Sequence, residues 1–133
     1  MNTAEDRRSH ERYRHGNLSV TVKRTGLRGR FSKPRIAEWM DFSHRGIAFE
    51  SRGKYTLADT LLLDFAISDK KEISISNVVA SVRNIHKHPG RYRYGVEFDY
   101  QASDYMNSLE VKNVLVDIEQ LLKDIFHRIS NNH

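Results

Sequence analysis

Residues 36–49, with the sequence IAEWMDFSHRGIAF, determine how the central part of this chain folds. Alternate residues are apolar over residues 36–42, and a short apolar run over residues 47–49 follows the polar segment from Asp41 to Gly46. Period-two alternation is typical of strands, and Asp, Ser and Gly are favoured in turns. The stretch therefore predicts two strands that flank one turn.

Four more segments have the composition of strands. In the first, Leu18, Val20 and Val22 alternate with polar residues. The others are an apolar run over residues 60–67, a β-branched stretch over residues 72–85 and an alternating segment over residues 92–98. Turn-forming residues separate these segments, among them Gly26, Gly29, Pro34, Pro89 and Gly90. Six strands are therefore expected.

Beyond Gln101 the apolar residues recur every three or four positions, which predicts one long amphipathic helix with Ser103 as its N-cap. Its apolar positions are Met106, Leu109, Val114, Leu115, Ile118, Leu121, Leu122, Ile125, Phe126 and Ile129. Because no helix separates successive strands, the sheet must be mainly antiparallel. The expected fold is mainly β: a six-stranded antiparallel β-barrel with a long C-terminal α-helix.

The composition narrows the class of protein. A chain of 133 residues with 38% hydrophobic and 29% charged residues fits a single globular domain. Its lack of cysteine excludes disulfides, thiolate metal sites and cysteine nucleophiles, and suits a reducing, cytoplasmic environment. The charged N-terminus differs from a signal peptide, and no apolar run approaches the ~20 residues of a membrane span. The formal charge of +5 favours anionic partners without identifying one.

Two short motifs point to a function. Arg8 and Arg12 form an R-x-x-x-R motif in the polar N-terminal segment. After 28 intervening residues, Asp41, Ser43 and Gly46 form a D-x-S-x-x-G motif on the predicted turn. In this order and placement the two motifs resemble the paired signature of PilZ domains. The resemblance continues through the strand over residues 94–98 and the C-terminal helix.

The resemblance implies a PilZ-type barrel that binds the bacterial second messenger cyclic di-GMP and is not an enzyme. An arginine fork can pair with a phosphate or with guanine O6 and N7 while its flat face stacks on a base. This chemistry suits Arg8 and Arg12, with Arg7 as a helper. Asp41 can accept hydrogen bonds from the guanine N1–H and N2–H₂ edge, a contact that adenine does not offer in the same way.

The remaining ligand contacts follow from the same resemblance. Ser43 offers a hydroxyl to a phosphate or base, and Gly46 lets the backbone turn tightly or come close to the ligand. Arg83 lies in a region that contributes an extra contact in PilZ domains, so it is a further candidate. Arg7, just before the first motif, favours an intercalated ligand dimer over a monomer, and both stoichiometries remain open. No catalytic residue, metal or other cofactor is expected.

Three regions are expected along the chain: a flexible ligand-clamping arm over residues 1–16, the barrel over residues 17–101 and the helix over residues 102–130, packed on the barrel or at an interface. A receptor without an output domain must signal through an unidentified partner protein. Motility, adhesion and polysaccharide export are outputs of the family. Neither nucleic acid nor membrane is expected as a partner, and the protein is either a monomer or a homodimer.

Two other functions remain open. A basic OB-like barrel would bind nucleic acid through exposed aromatics, for which Tyr92, Tyr94 and Tyr100 are the suitable cluster. A PilZ adaptor that acts by protein contact alone typically lacks the arginine pair, which is intact here. No nucleophile elbow, phosphate loop or metal-ligand cluster is apparent for an enzyme. Trp39, beside the turn, is predicted to lie in the core.

Overall fold

The computed structural model describes residues 18–25 and 33–131, which form a closed six-stranded β-barrel followed by a helix. The elements are β1 (Leu18–Arg24), β2 (Arg35–Ser43), β3 (Gly46–Ser51), β4 (Thr60–Ser68), β5 (Glu72–His88), β6 (Arg91–Phe98) and α1 (Leu109–Asn131). Around the barrel the order is β1-β2-β3-β6-β5-β4, and every neighbouring pair is antiparallel. The predicted mainly β barrel with a C-terminal helix is confirmed.

The barrel interior is filled by apolar side chains from all six strands. Alternation is regular in β1 and β4, where every second residue is buried. Near the β2–β3 turn, the Phe42 and Phe65 ring centroids lie 5.3 Å apart in an edge-to-face pair. Phe98 lies 5.9 Å from Phe42 and 5.8 Å from Phe65, centroid to centroid. This aromatic cluster packs on the core side of the β2–β3 turn, because buried Phe42 directly precedes Ser43.

Bulges interrupt the ladder at two positions that matter for the outer surface. In β2, Trp39 pairs with Phe49 and Asp41 pairs with Ala48, so Met40 is an extra residue. In β5, Val82 pairs with Val96 while Asn84 pairs with Gly95, so Arg83 is extra. A bulge changes which face the following side chains occupy. Both strands therefore lose their period-two alternation at these points.

Helix α1 begins at Leu109, so the predicted start at residue 102 with Ser103 as N-cap is wrong. The Oγ atom of Ser103 accepts the Met106 N–H at 3.1 Å in a separate turn. That turn buries Met106 completely, and the Met106 Sδ atom accepts the Val79 N–H at 3.3 Å. The true N-cap is Ser108, whose Oγ accepts the Val111 N–H at 3.2 Å.

The helix packs its apolar face against β2 and β5. Its buried residues are Val111, Leu115, Ile118, Leu121, Leu122 and Ile125. Two members of the predicted stripe, Leu109 and Phe126, are exposed instead, at 71% and 38%. Within the described ranges, no helix is both long and apolar enough to span a membrane.

Candidate functional site

Asp41 lies on the outside of the barrel because of the bulge in β2. Trp39 is 6% exposed and Phe42 is 8% exposed, so both point inward, and the prediction that Trp39 belongs to the core is confirmed. Asp41, between them, is exposed. In a regular strand without the bulge, Trp39 and Asp41 are two positions apart and would share one face. The bulge thus buries the tryptophan and presents the carboxylate to solvent.

The Asp41 carboxylate is partly fixed by its own backbone. Its Oδ1 atom accepts the Phe42 N–H at 3.0 Å. No hydrogen bond from another residue in the described ranges reaches Oδ2. One carboxylate oxygen therefore holds the side chain in place while the other can accept from a ligand.

The turn from Ser43 to Gly46 is held in one conformation. The Ser43 Oγ atom accepts the Arg45 N–H at 3.1 Å, and the Arg45 carbonyl accepts the Phe98 N–H at 2.8 Å. A Cβ atom on Gly46 would lie 2.1 Å from the Val96 carbonyl oxygen. Glycine is required here because β6 passes so close to the turn.

His44, at the tip of this turn, is attached to helix α1. Its backbone N–H donates to Glu119 Oε1 at 2.6 Å, and its Nδ1 lies 3.0 Å from the same oxygen. The Tyr100 hydroxyl donates to the His44 carbonyl. The other Glu119 oxygen, Oε2, accepts from Lys123 Nζ at 3.2 Å. One carboxylate from the helix thus holds the tip of the turn.

The electrostatics of Glu119 reflect these contacts. Burial alone would raise its pKa, because only 14% of the side chain is exposed. The hydrogen bonds from the backbone and ring of His44 and from Lys123 outweigh burial, so the pKa of Glu119 lies below its ordinary value. The ionised carboxylate is therefore the form that anchors the turn.

A groove of about 290 Å³ runs across the outside of strands β2, β3, β6 and β5. We term it the outer groove, and its lining residues are Asp41, Ser43, Arg45, Gly46, Ile47, Ala48, Arg83, Asn84, Gly95, Val96 and Glu97. It brings together all four predicted site residues that the structure describes: Asp41, Ser43, Gly46 and Arg83. Arg83 Nη2 lies 3.6 Å from Glu97 Oε1, and both side chains are more than half exposed. Such an exposed ion pair is weak and can be exchanged for an anionic ligand.

The predicted arginine residues Arg7, Arg8 and Arg12 lie outside the described residues. Their position in the site therefore stays a prediction. The first described residue, Leu18, begins β1, which pairs with β2 through Val20 and Ala37. The described part of the chain therefore begins beside the strand that carries Asp41.

Arg24 and Arg28 form a second R-x-x-x-R sequence, of which Arg28 lies outside the described residues and Arg24 lies away from the outer groove. Arg24, its first residue, is at the end of β1 where its side chain donates to the Lys54 carbonyl. Its Nη2 atom also lies 3.5 Å from Asp59 Oδ2. None of the groove residues is among these contacts of Arg24.

Two residues near the site were missed from the sequence. Glu119 follows the turn by 75 positions, and its contact with His44 depends on how the helix packs. Asn84 lines the outer groove opposite Gly95. The adjacent polar pair Arg83-Asn84, between buried Val82 and half-buried Ile85, was a detectable sign of a bulge.

A second groove, of about 400 Å³, separates β2 from the C-terminal half of α1. We term it the helix groove, and it is lined mainly by Trp39, Phe42, Leu122, Ile125, Phe126 and Ile129. Asp41 borders both grooves. The helix groove is apolar, whereas the outer groove carries charges.

The tyrosine cluster does not form an exposed stacking surface. Tyr94 is 1% exposed, and its hydroxyl donates to the Gly53 carbonyl at 2.6 Å. Tyr92 and Tyr100 are half-buried. An OB-like barrel needs accessible rings for base stacking. The geometry therefore gives little support to that alternative.

Comparisons with known proteins were made for both the sequence and the fold. The sequence model of the PilZ domain matches residues 6–111, a range that includes both motifs. No curated protein sequence matches the chain significantly. The fold is similar to that of K. pneumoniae MrkH in its apo state, with a TM-score of 0.56 and 14% identity over 86% of this chain and 50% of MrkH.

A second MrkH structure, from a 2.65 Å crystal, gives a TM-score of 0.55 and 13% identity over 90% of this chain and 49% of MrkH. The chain thus spans about half the length of the MrkH chains. At these identities the likeness shows a shared fold. Because the family model covers most of the sequence and both motifs, the chain belongs to the PilZ domain family.

Proposed function

We propose that this protein is a non-enzymatic receptor for cyclic di-GMP, which it binds in the outer groove. One observation carries the proposal: the bulge in β2 presents Asp41 at the edge of a groove that also contains Ser43 and Gly46. Membership of the PilZ family supports the same ligand. The protein is assigned a binding role and no chemical step.

The groove offers chemistry that suits both parts of the ligand. The free oxygen of Asp41 accepts from the N1–H and N2–H₂ groups of one guanine. Arg45 and Arg83 supply positive charge beside the phosphates. Arg8 and Arg12, with Arg7, close over the ligand from the N-terminal side as a clamp. The ligand binds as a monomer or as an intercalated dimer.

Binding is transmitted to a partner protein through the surface around the turn. The tip of the turn is hydrogen-bonded to Glu119, so a shift of the turn acts directly on helix α1. The partner is a protein of a pathway for motility, adhesion or polysaccharide export. The receptor acts in the bacterial cytoplasm as a monomer or homodimer, without nucleic acid or membrane as a partner.

Calorimetric titration with cyclic di-GMP and cyclic di-AMP tests the proposal. We expect the wild type to bind cyclic di-GMP and to reject cyclic di-AMP, because adenine has no N1–H and N2–H₂ donor pair for Asp41. Asp41→Ala should weaken binding ten- to a hundredfold, from loss of a charge-assisted hydrogen bond of about 1.5 to 3 kcal/mol.

The matched control is Asp117→Ala, which removes an exposed aspartate on α1 outside both grooves. It should bind within about a factor of two of the wild type, since distant surface charges are screened. A wild type that does not bind cyclic di-GMP refutes the proposed function. Equal affinity for the two nucleotides refutes the role of Asp41 alone.

A further inference from the structure

Four residues form a continuous row across the floor of the outer groove. Asp41 pairs with Ala48, Ala48 pairs with Gly95, and Gly95 pairs with Asn84. Three strand spacings separate the two ends, a span of about 14 Å. The two middle residues are the smallest available, so the row is a flat floor with a polar side chain at each end.

The bulge in β5 places Asn84 in this row. Val82 is 1% exposed and faces the core, whereas Arg83 and Asn84 are both exposed. In a regular ladder without the bulge, Arg83 would pair with Gly95 and the Asn84 side chain would point inward. The bulge in β2 acts in the same way on Asp41. Two separate irregularities thus align Asp41 and Asn84 on one surface.

The Asn84 side chain lies directly over Gly95. A Cβ atom on Gly95 would be 2.5 Å from Asn84 Oδ1 and 2.8 Å from its Nδ2. The glycine therefore makes room for the amide above the floor. Within the described ranges, that amide makes no hydrogen bond to another residue, so its two donors and its acceptor are available to a ligand.

We infer that Asn84 is a further ligand-binding residue, whose amide donates to N7 of the guanine held by Asp41. This inference rests on the proposed function. The backbones at the two ends of the row are about 14 Å apart, which leaves room for one base between the two polar side chains. A guanine that lies on Ala48, with its N1–H edge toward Asp41, presents N7 toward the Asn84 amide above Gly95. N7 is an acceptor and the amide nitrogen is a donor, so the pair is complementary.

The test is a set of calorimetric titrations with cyclic di-GMP and with its 7-deazaguanine analogue, which lacks the N7 acceptor. Asn84→Ala should weaken binding of cyclic di-GMP about five- to tenfold, the effect of one hydrogen bond. The wild type should lose a similar factor with the analogue. Because the Asn84→Ala variant has already lost the contact, the analogue should cost it no more than about twofold.

Gly95→Ala provides a second variant. Its methyl group takes the space of the amide, whose flexible end can move, so the barrel should stay folded while binding falls at least as much as in Asn84→Ala. Ser81→Ala is the control, because Ser81 is on the same strand but outside the groove lining. It should bind within about a factor of two of the wild type.

The outcomes separate the inference from the proposed function. If the wild type binds but Asn84→Ala and Gly95→Ala behave like Ser81→Ala, the inference is wrong and the receptor function stands. If the analogue weakens the wild type and Asn84→Ala equally, another residue reads N7 and the inference is also wrong. If the wild type does not bind cyclic di-GMP, the proposed function fails and the inference fails with it.

Discussion

Replacing Gly46 by alanine should destabilise the barrel, because no side chain fits at this position. The added Cβ would lie 2.1 Å from the Val96 carbonyl oxygen and 3.1 Å from the Glu97 Cα, and both are main-chain atoms of β6. Non-bonded heavy atoms prefer about 3.5 Å, so β3 and β6 must move apart by more than 1 Å. We expect a cost of about 2 to 3 kcal/mol from this overpacking.

Thermal denaturation followed by circular dichroism measures the effect. At roughly 4 °C per kcal/mol for a domain of this size, Gly46→Ala should lower Tm by about 8 to 12 °C. Gly90→Ala is the control, because Gly90 has a φ of 79° but no atom within 4 Å of an added Cβ. Its cost is only the left-handed backbone strain, about 1 kcal/mol.

The comparison between the two glycine variants tests whether contact with β6 causes the loss of stability. If Gly46→Ala melts within about 2 °C of the wild type, β6 does not lie close enough to Gly46 to exclude a side chain, and the steric explanation is wrong. If both variants lose the same small amount, contact with β6 does not impose the expected cost, because Gly46, unlike Gly90, has no positive φ. Titration with cyclic di-GMP at a temperature where Gly46→Ala is still folded should also show weaker binding, since the displaced turn carries Ser43.

Two further predictions concern the arm and the helix. Arg8→Ala and Arg12→Ala should each weaken cyclic di-GMP binding strongly in calorimetry, whereas Arg24→Ala should stay within a factor of a few, because Arg24 contacts Lys54 and Asp59 instead; similar losses at all three would show that general positive charge holds the ligand. Glu119→Gln should be less stable than the wild type at neutral pH, and the difference should disappear on acidification. The lowered pKa of Glu119 means that its contribution is complete above the ordinary value of 4.5 and is lost as the pH falls through the folded-state pKa. A difference in urea unfolding that is unchanged by acidification would contradict the anchoring role of this carboxylate.

Much of the fold could be predicted because it depends on local patterns. Alternation in β1 and β4 survives unchanged in the barrel, since each of these strands has one face inside. The D-x-S-x-x-G motif also predicted its own turn, because turn geometry depends on a few adjacent residues. The start of α1 was harder to predict from the sequence, since Ser103 and Ser108 are equally good N-cap residues. Burial of Met106 against β5 decided between them.

The arrangement of the site depended on long-range pairing. The sequence by itself determined the six strands, the helix, the two motifs and the family, because these follow from side-chain period and from residues close along the chain. Only the tertiary structure decided that the bulges at Met40 and Arg83 bring Asp41 and Asn84 into one row. It alone decided that Glu119 holds the turn. Strand register and helix docking are set by packing of the whole core, so no local pattern specifies which distant side chains meet.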